Sequence, residues 1–103
     1  MKLIRDNLAD APWEFLPEGK RFVRPINDRA EHLSLLRRKI LEEAGELFEA
    51  DSPNARAREA GDILQALEDY LSLSGTDIFE ALEAKQRKYE QRGGFRKGTV
   101  WDI

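Results

Sequence analysis

The apolar positions of this chain fall into one unpatterned stretch followed by three helical ones. Residues 1–26 show no steady period, and Pro12, Pro17 and Pro25, with the turn-like Pro17-Glu18-Gly19, break any helix there. After Asp28, apolar residues recur at Leu33, Leu36, Ile40, Ala44 and Leu47, the spacing of one helix face. Asp28-Arg29-Ala30-Glu31 reads as a capping box: the Asp28 carboxylate takes an early helix N–H and Glu31 reaches back. The first helix is therefore predicted from this cap to about Ala50. Ser52-Pro53 supplies an N-cap followed by Pro at the first helical position, which predicts a second helix over Pro53 to Leu73, stopped by Gly75. Thr76 is expected to cap a third helix that carries Ile78, Phe79, Leu82 and Tyr89 and ends at Arg92-Gly93-Gly94. Only two or three residues join the first two helices, so they are expected to pack as an antiparallel hairpin. No convincing strand is legible; the places for a short extended piece are near Val23 and Val100. The expected fold class is all-α, in one domain spanning residues 1–103, with residues 1–26 irregular.

Composition narrows the chemistry. At 103 residues the core is modest, and association with a second chain would extend it. The chain has no Cys and one His, which excludes disulfides, Cys-based zinc sites, thiol nucleophiles and a His-rich metal site. A bound metal must then take oxygen ligands. No apolar run approaches the length of a membrane span, and the first residues do not read as a signal peptide, so a cytoplasmic location is the expectation. The net charge of −3 hides a segregation: residues 1–41 carry +3, residues 42–83 carry −10 and residues 84–103 carry +4. An acidic centre suits cations and basic flanks suit anions, although uneven charge is also ordinary in small soluble proteins. With a pI near 5.2, nucleic acid is not an expected partner.

The acidic centre has a geometry. At about 100° per residue, Glu43 falls within roughly 20° of Leu36, inside the apolar face of the first helix, and Glu46 lies on the margin of that face. On the second helix, Glu59 and Asp62 fall among Ala55, Ala66, Tyr70 and Leu73 by the same arithmetic. Each helix thus directs a pair of acids, three residues apart, at its packing partner. Buried carboxylates facing one another repel unless cations neutralise them, and Lys39, one turn before Glu43, cannot alone balance four. Hard oxygen ligands without Cys or His indicate Mg²⁺ or Mn²⁺.

Glu42-Glu43-Ala44-Gly45-Glu46 has the form E-E-x-x-E, and Glu59-Ala60-Gly61-Asp62 the form E-x-x-D. With Lys2-Leu3-Ile4-Arg5-Asp6 at the start and Arg92-Gly93-Gly94-Phe95 after the third helix, the chain resembles, in order and over nearly its whole length, the short MazG-like all-α nucleoside triphosphate pyrophosphohydrolases. The resemblance implies Mg²⁺-dependent hydrolysis of a nucleoside triphosphate to the monophosphate and pyrophosphate, by a homodimer or dimer of dimers of helical hairpins. It assigns Glu43, Glu46, Glu59 and Asp62 as main metal ligands, and Glu42 as holding a second metal or orienting and deprotonating the attacking water. Spacing leaves open which of Glu42 and Glu43 does which job. Arg5 is implied as a phosphate contact, although short members often continue R-D-K-I-P where this chain has Arg5-Asp6-Asn7.

On the third helix, Lys85 and Arg92 fall on the apolar face and Lys88 lies beside them, as ligands for phosphate oxygens or partners for acids of a neighbouring helix. Trp13, Phe15, Phe22 and Trp101 are candidates to stack on a base or to cover the ends of a small bundle. Gly45 and Gly61, each directly before an acid inside a helix, suggest close helix approach, room for metal-bound waters, or ordinary variation. His32 reads as a surface or interface residue. No phosphate-loop, dinucleotide-binding or nucleophile-elbow motif is present. Within the expected activity, nucleotide-pool sanitation on a dNTP is favoured over phosphoribosyl-ATP hydrolysis in histidine biosynthesis. A non-catalytic helical adaptor that dimerises through the hairpin is the reading from another class.

Overall fold

The computed structural model describes residues 1–6 and 24–102, and within them the chain is helical with no strand. Three helices follow one another: α1 (Arg29–Glu49), α2 (Pro53–Leu73) and α3 (Ile78–Arg92). The caps explain the boundaries. Asp28 accepts from the Ala30 N–H at 3.0 Å, and Ser52 Oγ accepts from the Ala55 N–H at 3.1 Å with Pro53 opening α2. α2 ends in a Schellman turn: Gly75 has φ +98°, and the Thr76 N–H returns to the Leu71 carbonyl at 3.0 Å. Gly93, with φ +71°, similarly follows α3.

Two local expectations are corrected. The cap of α3 is Asp77, whose carboxylate accepts from the Glu80 N–H at 2.9 Å. Thr76 is already committed to the turn that ends α2, and its hydroxyl donates to Glu80 Oε2. Glu31, expected to reach back to the α1 cap, accepts from Arg24 Nη2 at 2.6 Å.

α1 and α2 pack against each other, whereas α3 touches α2 and not α1. Arg29, at the start of α1, donates from Nε and Nη2 to the carbonyl of Leu73, the last residue of α2, at 3.1 and 2.6 Å. The seam is thin. Among the described residues only Leu35, Leu36, Ala66 and Glu43 are buried, while Ile40, Leu47, Ala55, Tyr70 and Leu73 are half-buried along the same faces. Ala44, assigned to that stripe in the sequence, is exposed. No residue of α3 is buried, and Phe79, Leu82 and Tyr89 stand largely in solvent. His32 is half-buried. No helix among the described residues is long and apolar enough to cross a membrane.

Candidate metal centre

The seam places an acid where its apolar pattern calls for a hydrophobe. Glu43 sits on α1 one turn beyond Ile40 and is only 5% exposed. Across the seam, α2 presents Glu59 and Asp62, both half-buried. Carboxylate oxygens of Glu43, Glu59 and Asp62 lie within 4.8 Å of one another. Oxygens of Glu42, Glu43 and Glu46 form a second group within the same distance, so Glu43 is the vertex shared by both. The five acids named from the sequence therefore converge. Glu46 is the exposed member, as its marginal position on the helix wheel requires.

The cluster's electrostatics are incomplete. The Lys39 ammonium lies 3.2 Å from Glu43 Oε1 and 3.8 Å from Glu42 Oε1. Lys2 Nζ adds a contact to Glu42 Oε1 at 3.1 Å, and Arg5 pairs with Asp62. The Lys2 hydrogen bond above all, and then the charges of Lys39 and Lys2, hold the Glu42 carboxyl below the ordinary value of 4.5 despite some desolvation. The same hydrogen bond to Glu42 raises the Lys2 ammonium above 10.5. Among the described residues, three basic groups thus face five acids, an excess of two negative charges, which one divalent cation would match. Two buried oxygens, Glu43 Oε2 and Glu59 Oε2, one from each helix, have no hydrogen-bond partner among the described residues. A buried carboxylate oxygen left unpaired is expensive. An all-oxygen donor set with orphaned buried atoms and excess negative charge fits Mg²⁺ or Mn²⁺.

Other residues named from the sequence are not brought to this point within one chain. Lys85, Lys88 and Arg92 are exposed on α3, which makes no contact with α1. Trp101 is 86% exposed and Val100 is likewise in solvent without strand pairing. Trp13, Phe15, Phe22 and Val23 lie outside the described residues. A Cβ added at Gly45 or Gly61 would meet nothing within 4 Å, so neither glycine serves close helix approach within the chain. Lys2 had no assigned role in the sequence, and its ion pair spans forty positions that no periodicity links.

The chain matches no protein-family model, no curated protein and no solved structure. The chemistry of the centre rests on its own residues.

Proposed function

We propose that the chain is a divalent-metal-dependent nucleoside triphosphate pyrophosphohydrolase, cleaving a (deoxy)nucleoside triphosphate to the monophosphate and pyrophosphate. The observation that supports this most is the pair of orphaned carboxylate oxygens, Glu43 Oε2 and Glu59 Oε2, buried between two helices that otherwise bury apolar groups. A structural salt-bridge network would have satisfied them. The resemblance of E-E-x-x-E and E-x-x-D to the MazG-like pattern gives the arrangement its substrate class.

In this reading α1 and α2 form an antiparallel hairpin, and Glu43, Glu46, Glu59 and Asp62 hold Mg²⁺, or Mn²⁺ in its place. Bound there, the cation would neutralise the triphosphate and acidify water. The chain's own residues do the rest. Glu42, which Lys39 helps to keep ionised, accepts a proton from the attacking water at its carboxylate. The bond between the α- and β-phosphates breaks, and pyrophosphate leaves. Catalysis of this kind is mainly positioning and charge stabilisation, which suits a site built from rigid helices.

Lys85, Lys88 and Arg92 serve the triphosphate if a second copy brings α3 to the acidic seam; Arg5 already lies beside it. The uncovered Phe79, Leu82 and Tyr89 support such a homodimer or dimer of dimers. Nucleotide-pool sanitation in the cytoplasm is the matching role, with one domain spanning the chain.

The test is a panel of ordinary and modified nucleoside triphosphates and phosphoribosyl-ATP, assayed for pyrophosphate release with Mg²⁺ and with EDTA. Mg²⁺-dependent release that Glu59→Gln abolishes is expected. A folded protein inert towards the whole panel would leave the helical adaptor as the better reading.

A further inference from the structure

We propose that the N-terminal segment Met1–Asp6 is a cation strap, in which Lys2 and Arg5 occupy the carboxylates of Glu42 and Asp62 until a divalent ion displaces them. The proposal rests on the metal-centre reading and adds its regulation. The segment has no helix or strand, yet it is anchored at two points on opposite helices. Lys2 Nζ sits 3.1 Å from Glu42 Oε1 on α1, and Arg5 Nη2 donates to Asp62 Oδ1 on α2. Three residues of extended chain reach about 10 Å, enough to cross the seam above the buried Glu43.

Charge holds the strap more than packing does. Beneath it lies a cavity of about 290 Å³, with Leu35, Arg38, Lys39 and Glu42 on its α1 side and Met1 and Leu3 on the segment side. Leu3 is only half-buried, and Met1 and Ile4 are exposed. Little apolar contact is lost when the segment lifts, so the exchange is decided at the two ion pairs. Both basic side chains are 65% exposed, which makes these pairs weak. A divalent ion carries twice the charge of an ammonium and approaches carboxylate oxygens more closely. Its arrival lifts Lys2 and Arg5 off the acids and frees two cationic side chains, at the edge of the site, for phosphate oxygens.

The experiment is a Mn²⁺ titration without nucleotide, followed by the electron paramagnetic resonance of free Mn²⁺, on the wild-type chain and on Lys2→Ala/Arg5→Ala. Two exposed pairs impose a competition worth about 2- to 30-fold in affinity, so the double variant should bind Mn²⁺ more tightly by that factor. In the wild-type chain, trypsin cleavage after Lys2 and Arg5, read by mass spectrometry, should accelerate when Mn²⁺ is added. Unchanged or weaker Mn²⁺ affinity in the double variant, or cleavage indifferent to Mn²⁺, overturns the strap and leaves the metal centre standing. Absence of Mn²⁺ binding by both proteins overturns the two together.

Discussion

Replacing Glu43 by methionine should make the metal-free protein more stable and deaf to divalent ions. The Glu43 side chain is almost wholly enclosed, with Oε1 on Lys39 at 3.2 Å and Oε2 bonded to nothing. A buried acceptor without a partner costs about 1–3 kcal/mol, and more when charged. Methionine is unbranched, of similar length, and suits the apolar face that Leu36 and Ile40 begin. The loss is one contact of Lys39, whose ammonium is partly solvated and keeps Glu42 at 3.8 Å. That pair is largely enclosed, but Glu42 remains as a counter-charge for Lys39 and the removal of Glu43 relieves its repulsion with the neighbouring acids, so the loss is held to roughly 1 kcal/mol. The balance is a gain of roughly 1–2 kcal/mol in EDTA, or a Tm higher by about 5–15 °C for a domain of this size. Mg²⁺ at a hundred times its Kd should add about 2.7 kcal/mol to the wild-type chain and nothing to Glu43→Met. Thermal unfolding followed by circular dichroism, at one protein concentration with EDTA or Mg²⁺, reads both effects. Glu46→Gln is the control: this exposed acid should weaken the Mg²⁺ response and leave the EDTA melting point nearly unchanged. A Glu43→Met protein that melts below wild type in EDTA would refute the reasoning, because the carboxylate would then be supporting the metal-free fold.

Three further outcomes are expected. Glu42→Gln should keep the Mg²⁺-induced rise in Tm and lose about 10²–10⁴-fold in kcat; disappearance of the rise would make Glu42 a ligand first. Because Lys2 and Lys39 hold the Glu42 carboxyl below 4.5, the stability of that contact is present above its ordinary value and is lost as pH falls through the lower folded one. In the metal-loaded enzyme Lys39 and the cation's charge still favour the ionised Glu42 carboxylate, so the acid limb of kcat/KM should lie well on the acid side of neutrality, and a limb centred near neutrality would show that another group limits the reaction. Arg29→Ala removes two donors from the Leu73 carbonyl and should lower stability by roughly 0.5–1.5 kcal/mol in a urea titration while sparing the Mg²⁺ response.

Much of the fold is local and was therefore legible. Ser52-Pro53 and Gly75 are cap chemistry within a few residues of the ends they set, and α2 runs between them as expected. The enclosed position of Glu43 followed from helical angle alone, as did the marginal one of Glu46. Thr76 and Asp77 are adjacent residues that can both cap a helix, Asp the better of the two, and the turn that consumes the Thr76 N–H leaves the cap to Asp77. Lys2 and Arg5 were harder for another reason. Their partners are 40 and 57 positions away, and an aperiodic segment carries no angle from which to read a direction. The apolar stripe of α3 was visible, but periodicity states that a face needs a cover without naming it, and one chain leaves Phe79 and Tyr89 bare.

Glu43 and Glu59 stand eight residues to either side of Asp51, in the short loop between α1 and α2. At about 1.5 Å per residue, both lie near 12 Å from that turn, so they meet at one level of the seam. The loop thus acts as an origin from which two equal lengths are measured. Residues could be added within the loop itself with little effect on the facing of the acids. One residue inserted between Gly45 and Glu49 would instead swing Glu43, together with the part of α1 before it, by about 100° relative to the loop, whereas seven would return it to within roughly 20°. An insertion in this stretch should therefore be tolerated only as near-whole turns, with a change in one arm matched in the other.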